Sequence, residues 1–143
     1  MDYEIIHDIT SADIAVRIKG DTLAGLFVNA GNTLMSELMD DITMINREVR
    51  VTGELRNDEL DMLYFEFLNE FIFYKDSQDL LLLPETVEVT KKSGTNICRY
   101  TLAGEQIDRE RHTFRVDIKA VTLHGLKVYE RNGNFIAVTV FDV

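Results

Sequence analysis

Two carboxylates that could bind a cation lie in the last residues, Phe141-Asp142-Val143, which follow directly on an apolar run. There an aspartate side chain and the main-chain carboxylate are expected next to each other at the end of a strand. Neighbouring carboxylates repel each other, and a bound cation or a proton relieves that repulsion. Hard oxygen ligands favour calcium or magnesium over zinc. Asp142 and Val143 are therefore candidate cation ligands, although a solvated aspartate is the simpler interpretation.

A second polar group lies in the stretch that runs from Asp117 to His124. In an extended strand Asp117 and Lys119 would share one face, whereas Thr122 and His124 would lie on the other. This pattern is compatible with a lysine and a histidine held near an anionic site. It is also compatible with a solvent-facing strand that carries one ion-paired lysine, and the residues alone slightly favour that second interpretation.

Other common catalytic patterns are missing from the sequence. It has no glycine-rich nucleotide-binding loop and no paired Cys or His spacing for zinc. The single cysteine, Cys98, lies in a strand-like run, which predicts a small buried core residue. The acidic pair Asp40-Asp41 is expected in a solvated loop, with ion binding as the alternative.

The first half of the chain predicts two pairs of a strand followed by a helix. Strands are expected from Asp13 to Gly20 and around Val51, because apolar and charged residues alternate there. Each is followed by an apolar stripe at helical spacing, with Asp21 and Asn57 as the predicted N-caps. The two stripes are Leu23, Leu26, Phe27, Ala30, Leu34 and Leu38, then Leu60, Leu63, Tyr64, Phe67, Leu68, Phe71 and Ile72.

The second half predicts strands joined by turns. The apolar or alternating runs cover residues 80–83, 87–89, 97–103, 114–118, 126–128 and 135–141. Turns are predicted at Ser93-Gly94-Thr95-Asn96 and at Arg131-Asn132-Gly133-Asn134, where the Asn-Gly pair is a strong hairpin signal. The expected fold class is α+β, with two helices packed on a mainly antiparallel β-sheet in a single domain spanning 1–143.

The composition limits the classes of partner. The chain has 143 residues, 45% of them hydrophobic, and a formal charge of −10. Since nucleic acid is a polyanion, no direct tight nucleic-acid binding is expected from the general surface. Without a basic leader or an apolar run long enough for a bilayer, we expect a cytoplasmic protein without membrane contact.

Four short motifs together resemble the archease family over essentially the whole chain. They are Ala12-Asp13-Ile14, Gly104-Glu105 followed by Asp108, Lys119-Ala120-Val121-Thr122-Leu123-His124, and Phe141-Asp142-Val143. The Lys-Ala-x-Thr-x-His run combined with an aspartate one residue before the chain end is specific. One departure is clear: the family usually reads His-Thr-Ala-Asp at the first motif, whereas Thr10 stands here in place of that histidine, which puts any proton transfer by it in doubt.

The resemblance implies a function. Archeases are small activators of RtcB-type RNA ligases, which join 2′,3′-cyclic-phosphate or 3′-phosphate RNA ends to 5′-hydroxyl ends, notably in tRNA splicing. The activator promotes guanylylation of the ligase and its turnover, and is not itself an enzyme. By this resemblance the partner of the chain is an RtcB-type RNA ligase.

The resemblance also implies a site. A divalent cation, with calcium favoured and magnesium or manganese as alternatives, would be bound by Asp13, Asp142 and the main-chain oxygens of Val143. Lys119 and His124 match the second motif and are expected to contact the ligase or its active-site ligands. Glu105 is a weaker candidate for such a contact, with a solvated strand-end carboxylate as the alternative.

Two other classes of function remain open from the residues. The first is a small metal-dependent hydrolase, in which Asp13 and Asp142 hold a cation-bound water and His124 acts as acid or base. The second is a chaperone-like scaffold, which would need a broad exposed apolar surface. The sequence offers no long apolar stripe beyond the two predicted helix cores.

Overall fold

The structure, a computed structural model, describes residues 3–6 and 13–143. Within those residues the chain forms eight strands, two α-helices and one 3-10 turn. In chain order they are β1 (Tyr3–Ile6), β2 (Asp13–Gly20), α1 (Leu23–Leu38), the 3-10 turn (Ile42–Met44), β3 (Val49–Asn57), α2 (Leu60–Gln78), β4 (Leu80–Lys92), β5 (Thr95–Gln106), β6 (Ala120–Val121), β7 (Lys127–Arg131) and β8 (Asn134–Asp142).

The strands form two antiparallel sheets. In the five-stranded sheet β1, β2 and β8 lie in that order, and both β6 and β7 pair with the other edge of β8. The three-stranded sheet has the order β3-β5-β4. Both helices contact strands of both sheets, so one face of each sheet is covered. The α+β prediction with two helices is confirmed, and its strands divide between two sheets.

The core is built from the predicted helix stripes. Phe27 of α1 packs against Tyr64 and Phe67 of α2 with ring centroids 5.5 and 5.3 Å apart. The helices approach closely at Gly31, where an added Cβ would lie 2.7 Å from both Phe71 and Pro84. Neither helix of the described part combines the length and apolarity needed to span a bilayer.

The local signals for turns were accurate, whereas those for caps were not. Both predicted hairpins turn over two residues with positive φ, Ser93-Gly94 and Asn132-Gly133. Thr22, not Asp21, caps α1 by accepting a hydrogen bond from the Gly25 amide at 2.9 Å. The prediction of Asn57 as the cap of α2 was also wrong, because this residue ends β3.

The strand predicted over 114–118 was wrong. The chain between β5 and β6 has no regular strand in the structure, apart from an isolated bridge between Met39 and Phe114. Its backbone groups bond to the end of α1 instead, since the Arg115 amide donates to the Leu38 carbonyl at 2.9 Å. The alternation in sequence corresponds to an alternation in burial, since Phe114 and Val116 are half-buried and Ile118 is buried, whereas Arg115 and Asp117 are exposed.

Candidate functional site

Two carboxylates face each other at one end of the five-stranded sheet. Asp13 of β2 and Asp142 of β8 are directly opposed in the antiparallel register. Opposed residues project from the same sheet face with Cβ atoms about 4.5–5.5 Å apart, and like charges in that position are destabilising. Both residues are half-buried. Neither forms an ion pair with a described basic side chain.

The segment that carries the Lys-Ala-x-Thr-x-His run lies on the other side of Asp142. Ala120 of β6 is its register partner, and the Lys119 amide donates to the Asp142 carbonyl at 2.8 Å. Thr122 donates to the Val140 carbonyl twice, from its amide at 2.9 Å and its hydroxyl at 3.1 Å. These bonds place the backbone of Lys119 beside the carboxylate pair.

An ion pair connects helix α2 to the chain just before Lys119. Lys75 donates to Asp76 at 2.6 Å and to Asp117 at 3.0 Å, and its side chain is 9% exposed. Burial disfavours its charge, but the two carboxylates outweigh burial, so the pKa of Lys75 is raised. Asp117 is two residues before Lys119, so this ion pair helps to fix the position of Lys119.

The sequence interpretation missed Lys75, although a signal for it was present. Lys75 follows Phe67 and Phe71 at four-residue spacing, which places it on the buried stripe of α2. A lysine on such a stripe needs a carboxylate partner, and the neighbouring Asp76 and the distant Asp117 both serve as partners. The sequence alone does not show that Asp117, which lies far along the chain, is a partner of Lys75.

The donor set suits a hard cation. Carboxylate and main-chain oxygens are the ligands that calcium and magnesium prefer. No group of three or more Asp, Glu, His or Cys side chains converges within residues 3–6 and 13–143. A cation here would therefore rely on Asp13, Asp142 and the main-chain oxygens of Val143, completed by water or by a partner.

Glu105 is placed away from solvent. Its side chain is 4% exposed and accepts hydrogen bonds from Arg111, from the Asn46 amide at 2.7 Å and from His112 at 3.0 Å. The bond from Arg111 is the main reason that its pKa falls to about 2, although burial acts in the opposite direction. A contact between Glu105 and a partner protein would require these bonds to break, and its position is that of a structural carboxylate.

His124 is exposed, and its amide donates to the Thr122 hydroxyl at 3.3 Å. Within the described part of the chain its ring has no ion pair with Asp13 or Asp142. The hydrolase alternative, which needs this ring beside the carboxylates, gains no support from these contacts. Thr10 and Ala12 of the first motif lie outside the described residues.

The chain has known relatives. The Archease protein family matches residues 3–143, which is nearly the whole chain. The chain belongs to the archease family. Two proteins named "Protein archease" are similar to it, from Pyrococcus furiosus (30% identical over 135 residues) and from Methanopyrus kandleri (32% identical over 134 residues). In both cases the match covers 93% of this chain and 94% of the relative.

Solved structures share the archease fold. The solution structure of Methanobacterium thermoautotrophicum protein 1598 superposes with a TM-score of 0.85 at 23% identity, and covers 99% of this chain and 98% of that protein. The crystal structure of an archease from Thermotoga maritima, described as a possible chaperone, gives a TM-score of 0.60 at 21% identity and covers 98% of each chain. At these identities the likeness establishes the fold.

Proposed function

We propose that this archease is a non-catalytic accessory protein that activates an RtcB-type RNA ligase. It would bind a divalent cation, with calcium favoured, through Asp13, Asp142 and the main-chain oxygens of Val143. The observation that carries the proposal is the directly opposed carboxylate pair of β2 and β8. A bound cation would offset the repulsion between them and would give the site a defined charge.

The positions of two neighbouring residues support roles for them in the proposed contact. Lys119 is exposed, and its amide is bonded to the Asp142 main chain, so its backbone lies next to that residue. The exposed His124 lies farther along the same segment. We assign both residues to contacts with the ligase or with the anionic ligands of its active site, where a flexible lysine pairs well with phosphate.

The charge of the chain supports a ligase as the partner. An enzyme that transfers nucleotidyl groups stabilises phosphate charge with basic residues and metal ions. A protein of charge −10 is attracted to such a surface and associates with it faster. The acidic charge would thus contribute to the rate of encounter and to partner choice.

Calorimetry with calcium, magnesium and manganese tests the cation site. We expect the wild type to bind one of them, and saturating cation to raise its melting temperature. Asp142→Asn would lose both effects, whereas Asp40→Asn, which removes an exposed carboxylate elsewhere, would keep them. If the wild type binds no cation, the chain alone does not form the proposed site, and if both variants lose binding equally, the loss is not specific to Asp142.

A guanylylation assay with the cognate ligase tests the activation separately. We expect faster guanylylation in the presence of the wild type, and no acceleration with Asp13→Ala or Asp142→Ala. Lys119→Ala is expected to reduce activation more than cation binding, and circular dichroism would verify that each variant is folded. A ligase rate that does not respond to the wild-type protein would rule out the activator role.

A further inference from the structure

The outer face of the five-stranded sheet carries an unusual group of basic side chains. Val16 and Ile18 of β2 and Val128 of β7 pack against the core. The residues that alternate with them point the other way, away from the helices. On that side lie Arg17, Lys19, Lys127 and Arg131, all of them exposed, which together are called the basic face below.

The strand register shows that these residues form a compact surface. Arg17 pairs with Val138, which pairs with Lys127, and the three form one row across β2, β8 and β7. The next row is formed in the same way by Lys19, Ile136 and Tyr129. Neighbouring strands are about 4.8 Å apart and alternate residues of a strand about 6.6 Å apart, so the side chains lie within reach of one ligand.

Three of the four side chains of the basic face lack the carboxylate partners that neutralise arginines on the other sheet. There Arg99 lies between Glu54 and Glu88, and Arg56 also bonds to Glu54. On the basic face Arg17 pairs with Glu4 of β1. Lys19, Lys127 and Arg131 form no ion pair with any residue that the structure describes.

The surface also offers an aromatic ring and aliphatic side chains between the charges. The Lys127 ammonium lies 5.3 Å from the centroid of the half-buried Tyr129 ring. The same face has a cavity of about 260 Å³, which is lined by Tyr3, Glu4, Arg17, Lys19 and Ile136. Basic side chains that track phosphates, together with a ring on which a base can stack, are what single-stranded nucleic acid requires.

We propose that the basic face binds single-stranded RNA, with Lys19, Lys127 and Arg131 on its phosphates and a base against Tyr129. A flat sheet face with an aromatic ring suits unpaired bases better than the grooves of a duplex. Because the chain as a whole has a charge of −10, the binding is local, modest in affinity and sensitive to salt. This goes beyond ligase activation, since the contact needs neither the ligase nor the cation.

Fluorescence anisotropy with a labelled oligouridylate of about 12 nucleotides tests the proposal on the full chain. We expect saturable binding at low salt that weakens as the salt concentration rises. The double variant Lys19→Ala/Lys127→Ala would make the slope of log K against log[salt] less negative by about 1.4, because each lost contact to single-stranded RNA contributes about 0.7. Lys91→Ala/Lys92→Ala, with the same charge change in the β4–β5 hairpin, would leave the slope unchanged.

Tyr129→Leu separates RNA from other anionic partners. We expect this variant to lose about tenfold in RNA affinity, through lost stacking, with its salt slope unchanged. Polyglutamate and vesicles of phosphatidylserine serve as competitors. The proposal is overturned if the wild type does not bind RNA at low salt, if both lysine pairs have equal effects, or if polyglutamate or the vesicles bind as tightly as RNA and Tyr129→Leu has no effect.

Discussion

Glu105 and Asp142 are carboxylates of equal charge in opposite surroundings. Glu105 receives hydrogen bonds from Arg111, Asn46 and His112 inside the protein, and they hold its pKa at about 2. Asp142 faces a second carboxylate and has no basic partner among the described side chains. The first arrangement stabilises the fold, whereas like charges in directly opposed positions, as in the second, are destabilising.

The Glu105→Gln variant should change how stability depends on pH. The pKa of Glu105 falls from an ordinary value of 4.5 to about 2 in the folded protein. Its ionised form therefore stabilises the fold above about pH 4.5, and this contribution is lost as the pH falls from about 4.5 towards 2. Urea unfolding should give a steeper loss of stability from about pH 5 to about pH 3 for the wild type than for Glu105→Gln.

At neutral pH the same variant should be less stable by about 1–3 kcal/mol, because Arg111 and His112 lose a charged acceptor. Glu88→Gln is the matched control, since Glu88 is exposed and lies 3.7 Å from Arg99. Its cost should stay below about 1 kcal/mol. Parallel stability curves for wild type and Glu105→Gln across this pH range would contradict the assignment.

Between elements, a buried hydrogen bond joins α2 to the strand that carries Asp142. The hydroxyls of Tyr64 and Thr139 lie 2.7 Å apart, and both residues are fully buried. Tyr64→Phe or Thr139→Val alone would leave one buried hydroxyl without a partner, at a cost of about 1–3 kcal/mol. The double variant removes both hydroxyls, and its destabilisation should be smaller than the sum of the two single effects.

Urea unfolding of the four proteins measures this coupling as a double-mutant cycle. We expect an interaction energy of about 1 kcal/mol. The Thr52→Val variant, on the exposed face of β3, serves as a control for the change of residue type and should be nearly neutral. Strictly additive single effects would show that the two hydroxyls do not support each other in the folded protein.

Elements defined by nearby residues could be predicted from the sequence, and those defined by distant partners could not. The stripe around Phe67 and the Asn132-Gly133 turn depend on periodicity and local backbone conformation, which the sequence displays directly. The chain around Arg115 depends on a hydrogen bond to Leu38, so its alternating pattern was misleading.

The candidate site was likewise predictable only in part. Asp13 and Asp142 could be selected from residue type and from the archease resemblance, but only the register of β2 against β8 shows that they are opposed. Residue chemistry predicts which groups repel or attract each other. The topology, in which the last strand inserts beside the second, determines which of those groups meet.

Across the whole molecule, charge is unevenly distributed. The chain has 25 acidic and 15 basic residues, and four of the basic residues form the basic face. The rest of the surface is correspondingly more acidic. The acidic remainder of the surface would attract a basic partner such as the proposed ligase, whereas the basic face would attract the phosphates of RNA.

The effect of salt on ligase activation should reveal this long-range attraction. At about 0.1 M salt charges are screened beyond about 10 Å, so the protein concentration needed for half-maximal guanylylation should rise with salt. The maximal rate at saturating protein should change much less, because steering affects encounter and not chemistry. Rates of the ligase alone at each salt concentration provide the baseline.

The double variant Lys91→Gln/Lys92→Gln makes the chain more acidic in an exposed hairpin and should lower the half-maximal concentration at low salt only. A half-maximal concentration that is independent of salt would mean that contacts at the docking surface, and not the net charge, control association.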